Sequence, residues 1–213
     1  MSTLHKIKIS AKKLIAHNVF LISFKRTFKF KPGQIIGITD DVNLEPRLYS
    51  ICSSPKDDLV SILFIVKDAG RLTPSLADHN VGDTLWMSPV QGKFTYDDKP
   101  AWWIATGTGI APFYSMYKSG QMPLKLIQGG RRKEDFYFSD EFSSLVDYVQ
   151  CSSLEIVEGA YYGRLTNYLT EMDSLPTDIN YYLCGNANMV VDVRNILIGK
   201  GVPFAHIITE IYF

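Results

Sequence analysis

The sequence predicts two domains, an antiparallel β-barrel over residues 1–97 followed by an α/β domain with a parallel sheet over residues 98–213. Three observations predict them. In the first half, short β-rich runs are separated by Gly, Pro, Asn and Asp turns, a spacing that suits a barrel. In the second half, apolar runs alternate with stretches of helical period, which suits a parallel sheet covered on both faces. Between the halves, Asp97-Asp98-Lys99 make a polar hinge before Pro100.

Strands are expected at Lys6 to His17 and Val19 to Phe28, separated by a turn at Asn18, and at Ile35 to Thr39 after Pro32-Gly33. Arg47 to Ser53, Val60 to Lys67 and Thr84 to Ser88 continue the pattern. Thr73 to Ala77 reads as a helical turn with Thr73 as N-cap, and a helix start there would offer amides to an anion. Ala101 to Ala105 is a continuous apolar run of the kind that forms a buried strand. A Gly-rich turn and a helix over Ala111 to Lys118 follow it. Further strands are expected at Leu124 to Gln128, Leu154 to Val157, Tyr181 to Cys184 and His206 to Ile211. Helices are expected at Ser139 to Val149, Thr166 to Met172 and Met189 to Gly199.

Composition narrows the function. Twenty-two basic and twenty-two acidic residues cancel, so the formal charge is zero and nothing favours a polyanion. The one dense basic run, Arg131-Arg132-Lys133, meets Glu134-Asp135 at once, which suits a nucleotide phosphate better than nucleic acid. No run approaches the roughly 20 apolar residues of a membrane span, so a soluble, cytoplasmic protein is expected. Cys52, Cys151 and Cys184 lie far apart without C-x-x-C spacing, so neither an iron–sulfur cluster nor another metal site is expected.

Arg47-Leu48-Tyr49-Ser50-Ile51-Cys52-Ser53 stands out among the strands. Alternation places Arg47, Tyr49 and Ile51 on one face and Leu48, Ser50 and Cys52 on the other. That arrangement fits a flat aromatic ligand with a phosphate tail, and equally a half-buried strand with an exposed cation. Gly107 and Gly109 would let the turn after the Ala101 to Ala105 run approach a ligand closely, although G-x-G-x-x-G spacing is absent. In an open parallel sheet ligands gather at the carboxyl ends of the strands, so Thr108, Cys184-Gly185 and the segment Asn186 to Met189 are expected at one edge.

Arg47-Leu48-Tyr49-Ser50 with Ser53 resembles the R-x-Y-S-x-x-S flavin motif of the ferredoxin–NADP reductase family. Gly70-Arg71-Leu72-Thr73 is similar to its second flavin motif. Gly107-Thr108-Gly109-Ile110-Ala111-Pro112 resembles the nicotinamide-side loop, followed in order by Cys184-Gly185 with Met189 and by Glu210-Ile211-Tyr212-Phe213. Five motifs in order span essentially the whole chain and identify a short bacterial-type member, with an FAD-binding barrel and a Rossmann-like NAD(P)-binding domain.

The resemblance implies Arg47 at the flavin diphosphate, Tyr49 against the ring and Ser50 at its edge. Leu48, Ile65, Lys67, Gly70, Leu72 and Thr73 complete that site. It implies NADP(H) at Gly107, Thr108, Gly109, Pro112, Cys184, Gly185, Asn186 and Met189. Arg131, Arg132 and Arg164 would read the 2′-phosphate, with NAD(H) left open because Glu155 and Glu158 stand where several relatives have another arginine. Cys184 would flank the nicotinamide and Glu210 would relay a proton. Tyr212 would cover the flavin face, with Phe213 beyond it. The partner implied is ferredoxin or flavodoxin, served by a monomer. A free-flavin reductase, the reductase component of an oxygenase system and a flavin-free sensing or docking subunit are the alternatives.

Overall fold

The computed structural model describes residues 3–145 and 147–212. They divide into two units, Met1–Tyr96 with Ala111–Gly120, and Asp97–Ile110 with Gln121–Phe213. Residues 111–120 thus group with the barrel residues. The first unit contains β1 (His5–Ala16), β2 (Val19–Lys25), β3 (Ile35–Thr39), β4 (Arg47–Ser50), β5 (Leu59–Ile65) and β6 (Thr84–Met87), in the order β4-β3-β6-β1-β2-β5. All pairs are antiparallel.

β1 serves two partners. His5 to Lys8 pair with β6, and from Ile9 the strand pairs with β2. A register shift between Ile9 and Ala11 marks the change, as expected of a bulge that bends a strand. Past β4, Ile51 bridges to Ile62 and the Cys52 amide donates to the Ser61 carbonyl at 2.8 Å, so the outermost strands meet. Alternation turns Ile22, Phe24, Ile36, Ile38, Ile62 and Phe64 into one core.

Leu72 and Leu76 of α1 (Leu72–Asp78) join that core. The Lys12 ammonium donates to the carbonyls of Ala77 and, at 2.9 Å, His79, satisfying the free end of the helix. Arg71, not Thr73, holds the N-cap position, without a side-chain cap. Thr73 Oγ1 instead accepts the Lys67 amide at 2.9 Å, because burying Leu72 starts the helix earlier and leaves the hydroxyl to close the preceding loop. In the same unit, α2 (Ala111–Lys118) buries Phe113 and Met116. Phe113 meets Phe94 edge-on at 5.7 Å, and Ser115 Oγ donates to the Ser53 carbonyl at 2.6 Å. Gly33, at φ +88, lies so close to Phe94 that a Cβ would sit 1.9 Å from its carbonyl oxygen.

The second unit is a parallel sheet of β7 (Ala101–Thr106), β8 (Lys125–Gly130), β9 (Tyr148–Ser152), β10 (Tyr161–Tyr162), β11 (Asn180–Asn186) and β12 (Ile207–Tyr212). Its order is β10-β9-β8-β7-β11-β12. Ile104, Ile127 and Leu183 from the sheet pack with Leu165 and Leu169 of α4 (Leu165–Glu171), and with Val190 and Leu197 of α5 (Ala187–Gly199). Successive strands run outward from β7 in one direction and then, from β11, in the other. The order therefore reverses between β7 and β11, the switch point where such sheets receive ligands.

The third parallel strand departs from the sequence reading. The helix expected from Ser139 to Val149 ends at Phe142 as α3 (Ser139–Phe142), and the strand expected at Leu154 to Val157 is β9, at Tyr148–Ser152. On β9, the Tyr148 hydroxyl donates to Gln128 Oε1 and receives Gln150 Nε2, so polar residues face polar neighbours and the pattern of a half-buried strand is hidden. Leu154 and Ile156, which suggested the strand, are 63% and 83% exposed. Among the described residues, no helix is long and apolar enough to cross a membrane.

Candidate functional site

On the barrel, the register pairs Arg47 with Ile38, Tyr49 with Ile36 and Ser50 with Ile35. Ile36 and Ile38 are core residues, so alternation directs Tyr49 inward, where its ring packs edge-on to Phe64 at 6.4 Å. Burial pushes the Tyr49 phenol up to about 12, with Arg47 pulling it back, so Tyr49 is an uncharged ring at neutral pH. Arg47 begins the strand, is exposed, and makes no ion pair among the described residues. A solvated guanidinium beside a neutral aromatic and the 2% exposed Ser50 fits a flavin with an anionic tail. Leu48 points the other way and is 55% exposed.

β5 ends at Ile65, and the chain then closes a loop on itself. The Gly70 amide donates to the Lys67 carbonyl at 2.7 Å, and the Lys67 amide is held by Thr73 Oγ1. The backbone donor of Lys67 is therefore already used. Leu72 is a core residue of α1.

In the second unit, the switch point is walled by glycine. Gly107, at φ +55, opens a 3-10 turn over Gly107–Ile110 directly after β7. A Cβ on Gly109 would lie 2.3 Å from the Cys184 carbonyl oxygen, and one on Gly185, at φ +145, 2.4 Å from Thr106 Oγ1. Only hydrogen at these positions lets the turn pack onto the end of β11. Thr106 Oγ1 is buried there without a hydrogen-bond partner among the described residues. A buried hydroxyl left unpaired is costly, and a ligand oxygen would satisfy it. The sequence reading overlooked Thr106, although a hydroxyl directly before the first glycine of the loop was the available signal.

Other nominated residues gather at the same carboxyl edge. Met189 Cε would lie 3.0 Å from a Cβ on Gly185. Asn186 caps α5, its Oδ1 accepting the Asn188 amide at 3.0 Å. Thr108 lies within the 3-10 turn, whereas Pro112 is buried in α2 of the first unit. Arg131 and Arg132 are exposed in the turn after β8, where the Asp135 carboxylate accepts both their amides, at 2.8 and 3.1 Å. Arg164, also exposed, precedes α4. None of these three guanidiniums makes an ion pair among the described residues. The Glu155 carboxylate accepts the Lys133 amide at 2.8 Å, so this acid borders the arginine turn from a loop rather than from a strand.

Cys184 and Glu210 are register partners on β11 and β12, with Sγ 4.0 Å from Oε2. Burial pushes the thiol well above its ordinary 9.0, Glu210 adds to this, and a hydrogen bond with Tyr212 opposes it. Tyr212 ends β12 partly exposed, and Phe213 lies outside the described residues.

Residues 103–195 match the oxidoreductase NAD-binding domain family. The chain is 25% identical to the toluate 1,2-dioxygenase electron transfer component of Pseudomonas putida, over 97% of its own length and 67% of that protein. It is 26% identical to the flavodoxin/ferredoxin–NADP reductase of Escherichia coli K12, covering 78% of this chain and 77% of that one. The fold matches a ferredoxin NADP+ reductase from Neisseria gonorrhoeae, solved with FAD and NADP, with TM-score 0.88 at 20% identity over 100% of both chains. With its motifs set on a curled antiparallel sheet and a parallel six-stranded sheet, the chain carries an oxidoreductase NAD-binding domain and is similar in sequence and fold to flavodoxin/ferredoxin–NADP reductases.

Proposed function

We propose that the chain is an FAD-dependent oxidoreductase that exchanges electrons between NADP(H) and a one-electron carrier protein, ferredoxin or flavodoxin. The observation that carries this reading is the glycine-walled switch point with its unpaired Thr106 hydroxyl, in a chain whose barrel also presents Arg47, Tyr49 and Ser50. Bound flavin would supply the exchange between a two-electron hydride donor and a one-electron carrier. Arg47 binds the diphosphate, Tyr49 gives the ring an uncharged surface, and Ser50 hydrogen-bonds its edge. Gly107 to Gly109, Thr106 and Cys184-Gly185 receive the nucleotide, and Arg131, Arg132 and Arg164 favour NADP(H) over NAD(H). Glu210, charged beside the Cys184 thiol, relays a proton. Buried cysteines that form no disulfide among the described residues suit a reducing compartment such as the cytoplasm.

A second reading, the reductase component of an oxygenase system, is favoured by the likeness to the toluate dioxygenase component. The visible spectrum of the purified protein tests the flavin, and bleaching by NADPH in preference to NADH tests the donor. Reoxidation by ferredoxin or flavodoxin supports the first reading, and reoxidation by an oxygenase component alone supports the second. A colourless protein that takes up no added FAD refutes both.

A further inference from the structure

A cavity of about 440 Å³ opens in the first unit between the turn that leads into β3 and the segment that follows β6. Lys29 and Lys31 line it from the first of these segments and Lys93 from the second, together with Gln34, Thr95 and the buried Phe30. All three lysines are exposed, and none makes an ion pair among the described residues. No Asp or Glu lines the cavity. In a chain whose charges cancel overall, three cations thus surround one hollow with no acid to balance them.

Both segments are fixed to each other. The Gln34 amide donates to the Lys31 carbonyl at 3.1 Å, and the Lys31 amide donates to Gln34 Oε1 at 2.8 Å, which closes a tight turn through Gly33. Gln34 Nε2 then donates to the Gly92 carbonyl at 3.4 Å, and Ile35 and Gln91 exchange backbone hydrogen bonds at 2.8 and 3.0 Å. Beyond Gly92, the Thr95 amide donates to the Lys93 carbonyl at 2.8 Å. The backbone beneath the lysines therefore cannot draw apart, and the ammoniums relieve their repulsion only by splaying into solvent. An anion held among them removes that repulsion and adds attraction.

We propose that this cavity binds a small multivalent oxyanion, a diphosphate or a polycarboxylate. Its volume falls in the range of about 300–1,000 Å³ usual for small-ligand sites, and a hollow with fixed walls suits a compact molecule better than the face of a protein. Lysine ammoniums are compact three-donor charges without the planar fork of arginine, so they fit oxygens spread around a small anion. A monovalent anion engages too few of them to hold. The site uses neither Arg47 nor the glycine-walled turn, and it stands whether or not the barrel carries a flavin.

The test is calorimetric titration of the full chain at low ionic strength with pyrophosphate and with citrate, acetate serving as the monovalent control. At least one of the two multivalent anions should bind and raise the melting temperature, and acetate should do neither. The tighter of the two identifies the source of the oxyanion. Lys29→Gln, Lys31→Gln and Lys93→Gln should each weaken it by about two- to fivefold, the effect of one exposed ion pair. The three together should remove this binding and leave the melting temperature of the anion-free protein unchanged. Arg47→Ala and Arg131→Ala should retain it. Binding lost in the arginine variants and kept in the triple lysine variant would overturn the proposal, as would a wild-type protein that binds neither multivalent anion. A triple lysine variant that binds both anions like wild type, but is reoxidised more slowly by an acidic carrier protein, would make this face a protein-docking surface and overturn it as well.

Discussion

Cys184 and Glu210 face each other across β11 and β12 with the thiol 4.0 Å from the carboxylate, yet the thiol is the group that stays protonated. Burial, the larger cause, and the neighbouring negative charge both raise its pKa. Only the thiolate is a strong nucleophile, so the Cys184 thiol is a weak one at neutral pH. Native protein at pH 8 should therefore leave Cys184 unmodified by iodoacetamide. Glu210→Gln should bring the thiol pKa down but leave it above 9.0, because burial persists. Mass spectrometry after alkylation over a range of pH measures both, and rapid labelling of wild type at pH 8 contradicts the assignment.

Gly109→Ala places a methyl group 2.3 Å from the Cys184 carbonyl oxygen. Overpacking of this kind costs about 1–3 kcal/mol, and the variant should melt several degrees lower and lose NADP⁺ binding. Gly199→Ala is the control, since a Cβ there meets nothing within 4 Å inside α5. It should raise the melting temperature, Ala exceeding Gly by about 1 kcal/mol in a helix. Equal melting temperatures for the two variants would contradict the close approach at Gly109.

Replacing Arg131, Arg132 and Arg164 by alanine should raise the KM for NADPH about tenfold and leave that for NADH within about twofold. The three are exposed, so the melting temperature should hold. Equal losses with both donors would show that these side chains do not read the 2′-phosphate.

If, as the resemblance implies, Tyr212 competes with the nicotinamide for the flavin face, Tyr212→Ser should tighten NADP⁺ binding to the oxidised protein, and because the ring is partly exposed the melting temperature should hold. Titration beside a thermal melt decides it. A variant that binds NADP⁺ no better and melts several degrees lower makes Tyr212 a strand anchor instead.

The elements that the sequence revealed are those whose burial alternates or runs unbroken. Ile35–Thr39 and Ala111–Lys118 were placed to the residue, and Ala101 to Ala105 announced β7 because both its faces are buried. β9 stayed hidden, since its polar residues are satisfied by Gln128 on the neighbouring strand, a pairing that no local pattern records. The two-residue β10 is too short to leave a period. At the candidate site, motif order nominated Arg47, Gly107 to Gly109 and Cys184. Thr106 was passed over because an unpaired hydroxyl exists only after distant segments meet.

The barrel unit is written in the chain as two separate passages, since the chain leaves it at Tyr96, returns at Ala111 and leaves again at Gly120. A gene cut at the polar hinge would release a barrel lacking α2, and would strip Phe94 of the ring of Phe113 and Gly33 of the side chain of Met116. Such a fragment should be insoluble, whereas one that carries residues 111–120 on a short linker should not. Exchange of this barrel between relatives by a single crossover is closed for the same reason. The two units have to be inherited together or recombined at three points.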